Sequence, residues 1–158
     1  MNKIIELNKP IKLDVGCGRN KREGYVGIDW KDFGQEIIWD ITKGIPLPDN
    51  SCSHIFCSHV IEHIDDLISL MNEFWRVLNI TGELWIICPH RTAPSAYVIQ
   101  HVRRIDEDTI KSFDYSDRKD RCWEDDYDIK PWKVNDLVVN ERPDIHAKLS
   151  PRKVEVKK

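Results

Sequence analysis

The sequence predicts an α/β fold: a mostly parallel sheet with helices on both faces, a truncated first crossover and an antiparallel strand pair at the C-terminus. Three observations carry this. Short apolar segments recur between Ile11 and Pro89, separated by glycine- and proline-marked turns. One long amphipathic stretch, from Ile61 to Leu78, places apolar residues at spacings of three and four. The first apolar segment runs into glycines at alternate positions, Gly16-Cys17-Gly18, and the second ends in Asp29. That order suits a parallel sheet presenting a nucleoside-like ligand at its strand ends.

Taken in order, Ile11 to Val15 reads as a short buried strand after Pro10. Tyr25 to Ile28 is a second strand and Glu36 to Ile41 a third. Thr42-Lys-Gly-Ile-Pro-Leu-Pro-Asp-Asn50 is a proline-rich connector that cannot be helix interior. Ser53 to Cys57 is a fourth strand. The helix that follows uses Ile61, Ile64, Leu67, Ile68, Met71, Phe74, Trp75 and Leu78 as its apolar face. It should end near Asn79, with Thr81-Gly82 as the turn. Leu84 to Cys88 is a central strand stopped by Pro89. Strands alternating with a strong helix argue for right-handed parallel crossovers.

Beyond Pro89, Ser95 to Val102 and Asp106 to Phe113 read as helices, the second with Asp106 as N-cap. Residues 114–130 are strongly charged and read as a solvated loop. Trp132 to Val139 and Asp144 to Leu149 flank Asn140-Glu-Arg-Pro143, the pattern of an antiparallel pair. The basic end, Pro151 to Lys158, reads as frayed.

The 158 residues predict one domain over 1–158, long enough to bury roughly 68–70% of its unfolded surface. Hydrophobic residues at 41% and charged residues at 32% are ordinary for a globular protein. A net charge of −3 gives no reason to expect nucleic acid or a membrane surface as partner. The five cysteines are scattered, odd in number and without a CxxC pair. Reduced thiols in a cytoplasmic setting are therefore expected. The start lacks the apolar core of a signal peptide, and no apolar run approaches the ~18–20 residues of a membrane span. The oligomeric state has no signature in the sequence.

The chemistry starts at the glycine turn. Gly16 and Gly18 leave no Cβ between backbone and ligand. A dinucleotide fingerprint needs a third glycine, and Lys21 stands at that position, which disfavours NAD. Asp29 suits ribose hydroxyls, because a carboxylate accepts more than one hydrogen bond. The plain alternative is a tight turn beside a surface aspartate.

Leu13-Asp-Val-Gly-Cys-Gly18 resembles the first motif of class I S-adenosylmethionine-dependent methyltransferases, whose sheet is Rossmann-like. The likeness continues through Trp39-Asp-Ile-Thr-Lys-Gly-Ile-Pro-Leu-Pro-Asp-Asn-Ser51, Ser58-His-Val-Ile-Glu-His63 and Phe74-Trp-Arg-Val-Leu78 with Gly82, spanning residues 11 to about 90. The nearest likeness is to a small branch of type 11 domains. The resemblance implies that Asp14, Gly16, Cys17 and Gly18 surround the methionine part of S-adenosylmethionine. It implies that Asp29 holds the ribose, that Asp40 and Ile41 hold the adenine, and that Ser58 and His59 face the sulfonium. This sequence departs from the family in its first crossover. Arg19-Asn-Lys-Arg-Glu-Gly24 is too short for a helix of about ten residues, so Arg19 or Lys21 would stand near the cofactor's carboxylate or in solvent. His54 also stands where the family often has aspartate.

His59-Val-Ile-Glu62-His63 fits H-x-x-E-H as letters, the inverted zinc-protease pattern. That pattern requires a helix through all five residues, whereas Cys57-Ser58 reads as a strand end. Glu62, His63 and His90 are candidates for a divalent cation, although no metal is assigned from the sequence. Alternatively Glu62 sits at the helix start, favoured by the macrodipole, and His63 packs at a pocket edge. Tyr97, His101, Tyr115, Trp123 and Tyr127 are candidates for an acceptor pocket or for plain packing. The expected function is methyl transfer to a small-molecule or glycan-like acceptor, with His59 as the base that removes the acceptor's proton. The alternatives are a non-catalytic S-adenosylmethionine-binding module or accessory subunit and, more distantly, a metal-dependent hydrolase.

Overall fold

A computed structural model describes residues 9–114 and 128–153. It contains seven strands: β1 (Ile11–Val15), β2 (Val26–Asp29), β3 (Ile37–Ile38), β4 (Cys52–Ser58), β5 (Leu78–Pro89), β6 (Trp132–Val139) and β7 (Asp144–Pro151). They form one sheet in the order β3-β2-β1-β4-β5-β7-β6. The pairs among β1 to β5 are parallel, while β7 runs antiparallel to both β5 and β6. The order reverses between β1 and β4, each of which leaves the other's neighbour on opposite sides. That switch point opens a crevice at the strand carboxyl ends.

Strand alternation sorts the side chains into two unlike faces. Leu13, Ile55, Leu84, Ile86, Ala147 and Leu149 are shut away from solvent on one. The alternate positions Lys12, Phe56, Trp85 and Lys148 are exposed or half-buried on the other. There Phe56 and Trp85 meet edge to face at 5.1 Å. The guanidinium of Arg22 lies 4.0 Å from the Phe56 ring centre and 4.9 Å from that of Trp85. The truncated crossover thus contributes one arginine as cover where a helix would contribute a row of side chains. No helix forms between β1 and β2, as the short spacing predicts, and the link from β2 to β3 is also a loop.

The long amphipathic stretch does not form one helix. Ile61–His63 is a single 3-10 turn, the chain is extended at Ile64, and α1 runs only over Leu67–Val77. Asp66 causes the restart, because its carboxylate accepts the Ser69 N–H and caps the new helix. The carbonyls of Ile64 and Asp65, which a continuous helix would use, accept from Arg103 instead. At its other end α1 passes straight into β5 at Leu78, whose backbone is already extended. Thr81-Gly82 is therefore not the connection but part of a bulge within β5, between Leu78 and Glu83. The apolar face of α1 buries Leu67, Leu70, Met71, Phe74 and Val77.

The third strand is also shorter than expected, because Asp40 leaves the ladder to cap a 3-10 turn over Ile41–Lys43. Of the helix expected over Ser95 to Val102, only a 3-10 turn at Pro94–Tyr97 forms. Val98 is extended, and the Val102 N–H donates across to Glu62 O rather than back along its own chain. Asp106 does cap α2 (Glu107–Lys111), through the Thr109 N–H. The C-terminal pair forms as predicted, with Trp132 fully buried at its base. The charged stretch over 114–130 and the basic tail fall mostly outside the described residues. Among those described, no helix is long and apolar enough to cross a membrane.

Candidate functional site

A cavity of about 680 Å³ lies beyond the carboxyl ends of β1 to β4. Six sequence-predicted residues line it: Gly16, Asp29, Asp40, Ile41, His59 and, at the pocket edge, His63. Asp14, Cys17, Gly18 and Ser58 are not among its lining residues.

The turn after β1 explains its glycines. Gly16 has a positive φ of 64°, and a Cβ there would fall 2.3 Å from Val60 Cγ2. Gly16 N–H donates to Ile28 O at 2.8 Å, which seats the turn on β2. Gly18, also with positive φ, points its N–H at Asp29 Oδ2 over 3.0 Å, while Lys31 N–H donates to Oδ1 at 3.0 Å. Asp29 is thus pinned at both oxygens yet keeps acceptor capacity towards the cavity.

Asp14 is buried, and its Oδ2 accepts the Arg22 N–H at 2.6 Å. Burial raises its pKa against that bond and the nearby Arg22 charge. This bond folds the short crossover back onto β1. The Cys17 thiol is directed at Gly27, where an added Cβ would come within 2.8 Å of its Sγ. Burial, reinforced by Asp14 and Asp29, pushes this thiol up to about 11. It is no nucleophile at neutral pH. Lys21 is engaged by Glu36 at 3.0 Å and by Tyr25 O, while Arg19 stacks 5.4 Å from Phe33.

Asp40 accepts from both the Thr42 hydroxyl (2.7 Å) and N–H (3.1 Å) through Oδ1. These bonds, the hydroxyl first, hold its carboxyl below the usual range. Trp30 and Trp39 line the same cavity with 69% and 39% of their surface exposed. Trp39 is steadied by its Nε1–H, which donates to Gly44 O at 2.9 Å. Both tryptophans were legible only as residues flanking the acidic strand ends, and their sharing of one cavity was not.

Across the cavity, His59 adopts a positive φ of 55°, uncommon for a residue with a Cβ. Its N–H donates to Ile87 O at 2.8 Å, so the turn after β4 is anchored on β5. Ser58 is the last residue of β4 and pairs with Ile87. His59 Nδ1 lies 3.5 Å from Glu62 Oε1, and this contact raises the imidazole pKa. Because Ile61–His63 is one 3-10 turn, His59 and His63 do not share a helix face, which removes the geometry a zinc-protease pattern needs. His90 is elsewhere, held by Thr92 and Glu107. The imidazole that does reach His63 is His101, with ring centres 4.6 Å apart. Nothing in the spacing of these two histidines signals this meeting. Tyr97 is 61% exposed, while Tyr115, Trp123 and Tyr127 lie outside the described residues.

Residues 23–86 match a family model described as a methyltransferase domain, of the type 11 group. No curated protein matches the sequence. Among solved structures, the fold is shared with a putative type 11 methyltransferase from Sulfolobus solfataricus (18% identity, 94% of this chain and 87% of that one, TM-score 0.61). It is shared equally with a SAM-dependent methyltransferase from Archaeoglobus fulgidus (15% identity, 90% and 86%, TM-score 0.62). A third is a putative methyltransferase from Haloferax volcanii, in complex with the Trm112 methyltransferase activator (11% identity, 91% and 85%, TM-score 0.63). A methyltransferase-domain model thus matches the central segment of the chain, and the fold is the one these S-adenosylmethionine-dependent methyltransferases share.

Proposed function

We propose that the cavity takes S-adenosylmethionine against Asp29, Asp40 and the two tryptophans, and methylates a small-molecule or glycan-like acceptor brought in beside His59. One observation carries this reading: two carboxylates and two partly exposed indoles face a single cavity at the sheet's switch point. A nucleoside needs that combination. Asp29 accepts the ribose hydroxyls, Asp40 accepts the adenine amine, and an indole stacks on the purine. Gly18, whose missing Cβ would meet nothing within 4 Å, leaves room for the methionine part. Asp14, which accepts the Arg22 N–H, Cys17, packed towards Gly27, and Ser58, paired with Ile87 at the end of β4, hold the backbone around that end.

S-adenosylmethionine supplies a methyl group on a positively charged sulfur, open to in-line displacement. The chain's part is to align the acceptor and exclude water, which can contribute roughly 7–11 kcal/mol. His59, half exposed and at the cavity wall, is the residue placed to take the acceptor's proton. A cavity within the usual range for small ligands favours a compact acceptor over a polymer lying across the surface. The whole chain acts as one catalytic domain in this reading.

Calorimetry with S-adenosylhomocysteine tests the cofactor part. Saturable binding that is weakened by at least roughly tenfold in Asp29→Ala is expected, and equal binding by the variant overturns it. Mass spectrometry of acceptor panels for the gain of one methyl group tests the rest. His59→Ala that binds cofactor but methylates at the wild-type rate removes His59 as the base.

A further inference from the structure

Glu62 is the anomaly of this molecule. Of the buried carboxylates among the described residues, Asp14 and Asp29 accept backbone N–H bonds. Glu62, at 1% exposure, has no hydrogen bond on either oxygen. Among the described residues its one ion-pair contact is with His59, at 3.5 Å and outside hydrogen-bond geometry. A buried carboxylate left in this state is costly, and something must compensate it.

Two imidazoles stand where a compensating cation would need them. His101 Nδ1 is itself buried without a hydrogen bond. His63 Nδ1 lies 3.1 Å from Gln100 O; a carbonyl can only accept, so Nδ1 carries the proton and Nε2 presents its lone pair. That is the backing a metal-binding histidine ordinarily has. One donor atom from each of Glu62, His63 and His101 lies within 4.8 Å of the others. The fold builds this meeting deliberately from two segments far apart in sequence. Val102 N–H donates to Glu62 O at 3.0 Å, and Arg103 donates to the Ile64 and Asp65 carbonyls.

We propose that Glu62, His63 and His101 form a binding site for a divalent transition cation of the zinc class. Two nitrogens and one carboxylate suit such an ion better than magnesium or calcium, which favour all-oxygen sets. Ligand distances of about 2.1 Å would draw the three donors to within roughly 3–4 Å of one another, a closure that side-chain rotation supplies. Three protein donors leave a tetrahedral ion one open position, as in catalytic rather than structural zinc sites. His63 and Gln100 line the cavity, so the ion would sit at its edge. The site rests on these side chains and not on the cofactor reading.

The test is titration of the chelator-treated full chain with Zn²⁺ and Co²⁺, followed by calorimetry and by visible absorption of bound Co²⁺. One equivalent should bind, with Zn²⁺ displacing Co²⁺. Glu62→Gln and His101→Ala should each weaken binding by at least roughly tenfold, while His90→Ala should not. In the unmodified chain, Co²⁺ should broaden the imidazole proton resonances of His63 and His101 and spare those of His90 and His146. That measurement needs no variant to fold. Absence of stoichiometric binding overturns the site. Unchanged affinity in both ligand variants, or broadening centred on His90 or His146, overturns it as adventitious binding.

Discussion

The backbone N–H of Gly18 donates to Oδ2 of Asp29 over 3.0 Å, tying the turn after β1 to the end of β2. The same carboxylate that would meet the ribose therefore also organises the glycine turn. Asp29→Ala should raise the Kd for S-adenosylhomocysteine by roughly 10–100-fold, the equivalent of about 1.5–3 kcal/mol for charge-assisted hydrogen bonds. Calorimetry reads this directly, and a lowered melting temperature should accompany it because the turn loses its anchor.

Gly27 should tolerate no side chain. A Cβ there would sit 2.6 Å from Lys21 Cδ, 2.8 Å from Cys17 Sγ and 2.9 Å from Gln35 Cβ. Gly27→Ala is expected to cost about 1–3 kcal/mol by overpacking, measured by urea unfolding. At Gly16 the obstacle is double, a positive φ and the Val60 methyl. Adding Val60→Ala to Gly16→Ala should recover part of the lost stability but not all of it, since the backbone strain remains.

Acid should weaken the fold through two carboxyls. Arg76, with the Ile45 N–H in support, holds Glu73 below its ordinary range. The Thr109 N–H and hydroxyl do the same for Asp106. A carboxyl whose folded pKa lies below its unfolded value stabilises fully above the unfolded value. That contribution fades as pH falls through the folded one. Urea midpoints should therefore drop between about pH 5 and pH 3, and the drop should shrink in Glu73→Gln. An unchanged pH profile in that variant would count against the Arg76 pairing.

Arg22 should matter to packing more than to charge. Its guanidinium covers Phe56 and Trp85, a contact of about 0.5–2 kcal/mol. Arg22→Ala should lower stability on that scale and red-shift tryptophan emission. Arg22→Lys should recover little of either, because an ammonium does not stack as a planar fork does.

The parts of this molecule that follow local rules were legible in its residues. Period-two apolar runs gave β1 and β4, Asp106 gave the cap of α2, and Trp132 to Val139 gave the edge strand. The short run from Gly18 to Asp29 correctly foretold a compressed crossover. What escaped was decided by distant partners. Ile61 to Leu78 has helical periodicity throughout, yet Arg103 and Asp66 divert its backbone bonds and split it. Thr81-Gly82 carries turn chemistry but is spent on a bulge. His90 has the right position in sequence to join Glu62, but Glu107 takes it and His101 arrives through an irregular strap that has no periodicity to read.

The loop that replaces the first crossover helix performs two tasks through one short backbone. Gly18 holds Asp29 at the cavity, and a few residues on, Arg22 holds Asp14 with its N–H and shields the aromatic sheet face with its side chain. In a protein with a full helix these tasks would be insulated from each other by several turns of rigid structure. Here a few residues of backbone join the cavity wall to the cover of the sheet, so occupancy of the one should couple to protection of the other. A ligand that stiffens the glycine turn should slow hydrogen exchange at β4 and β5, strands whose aromatic side chains it never touches.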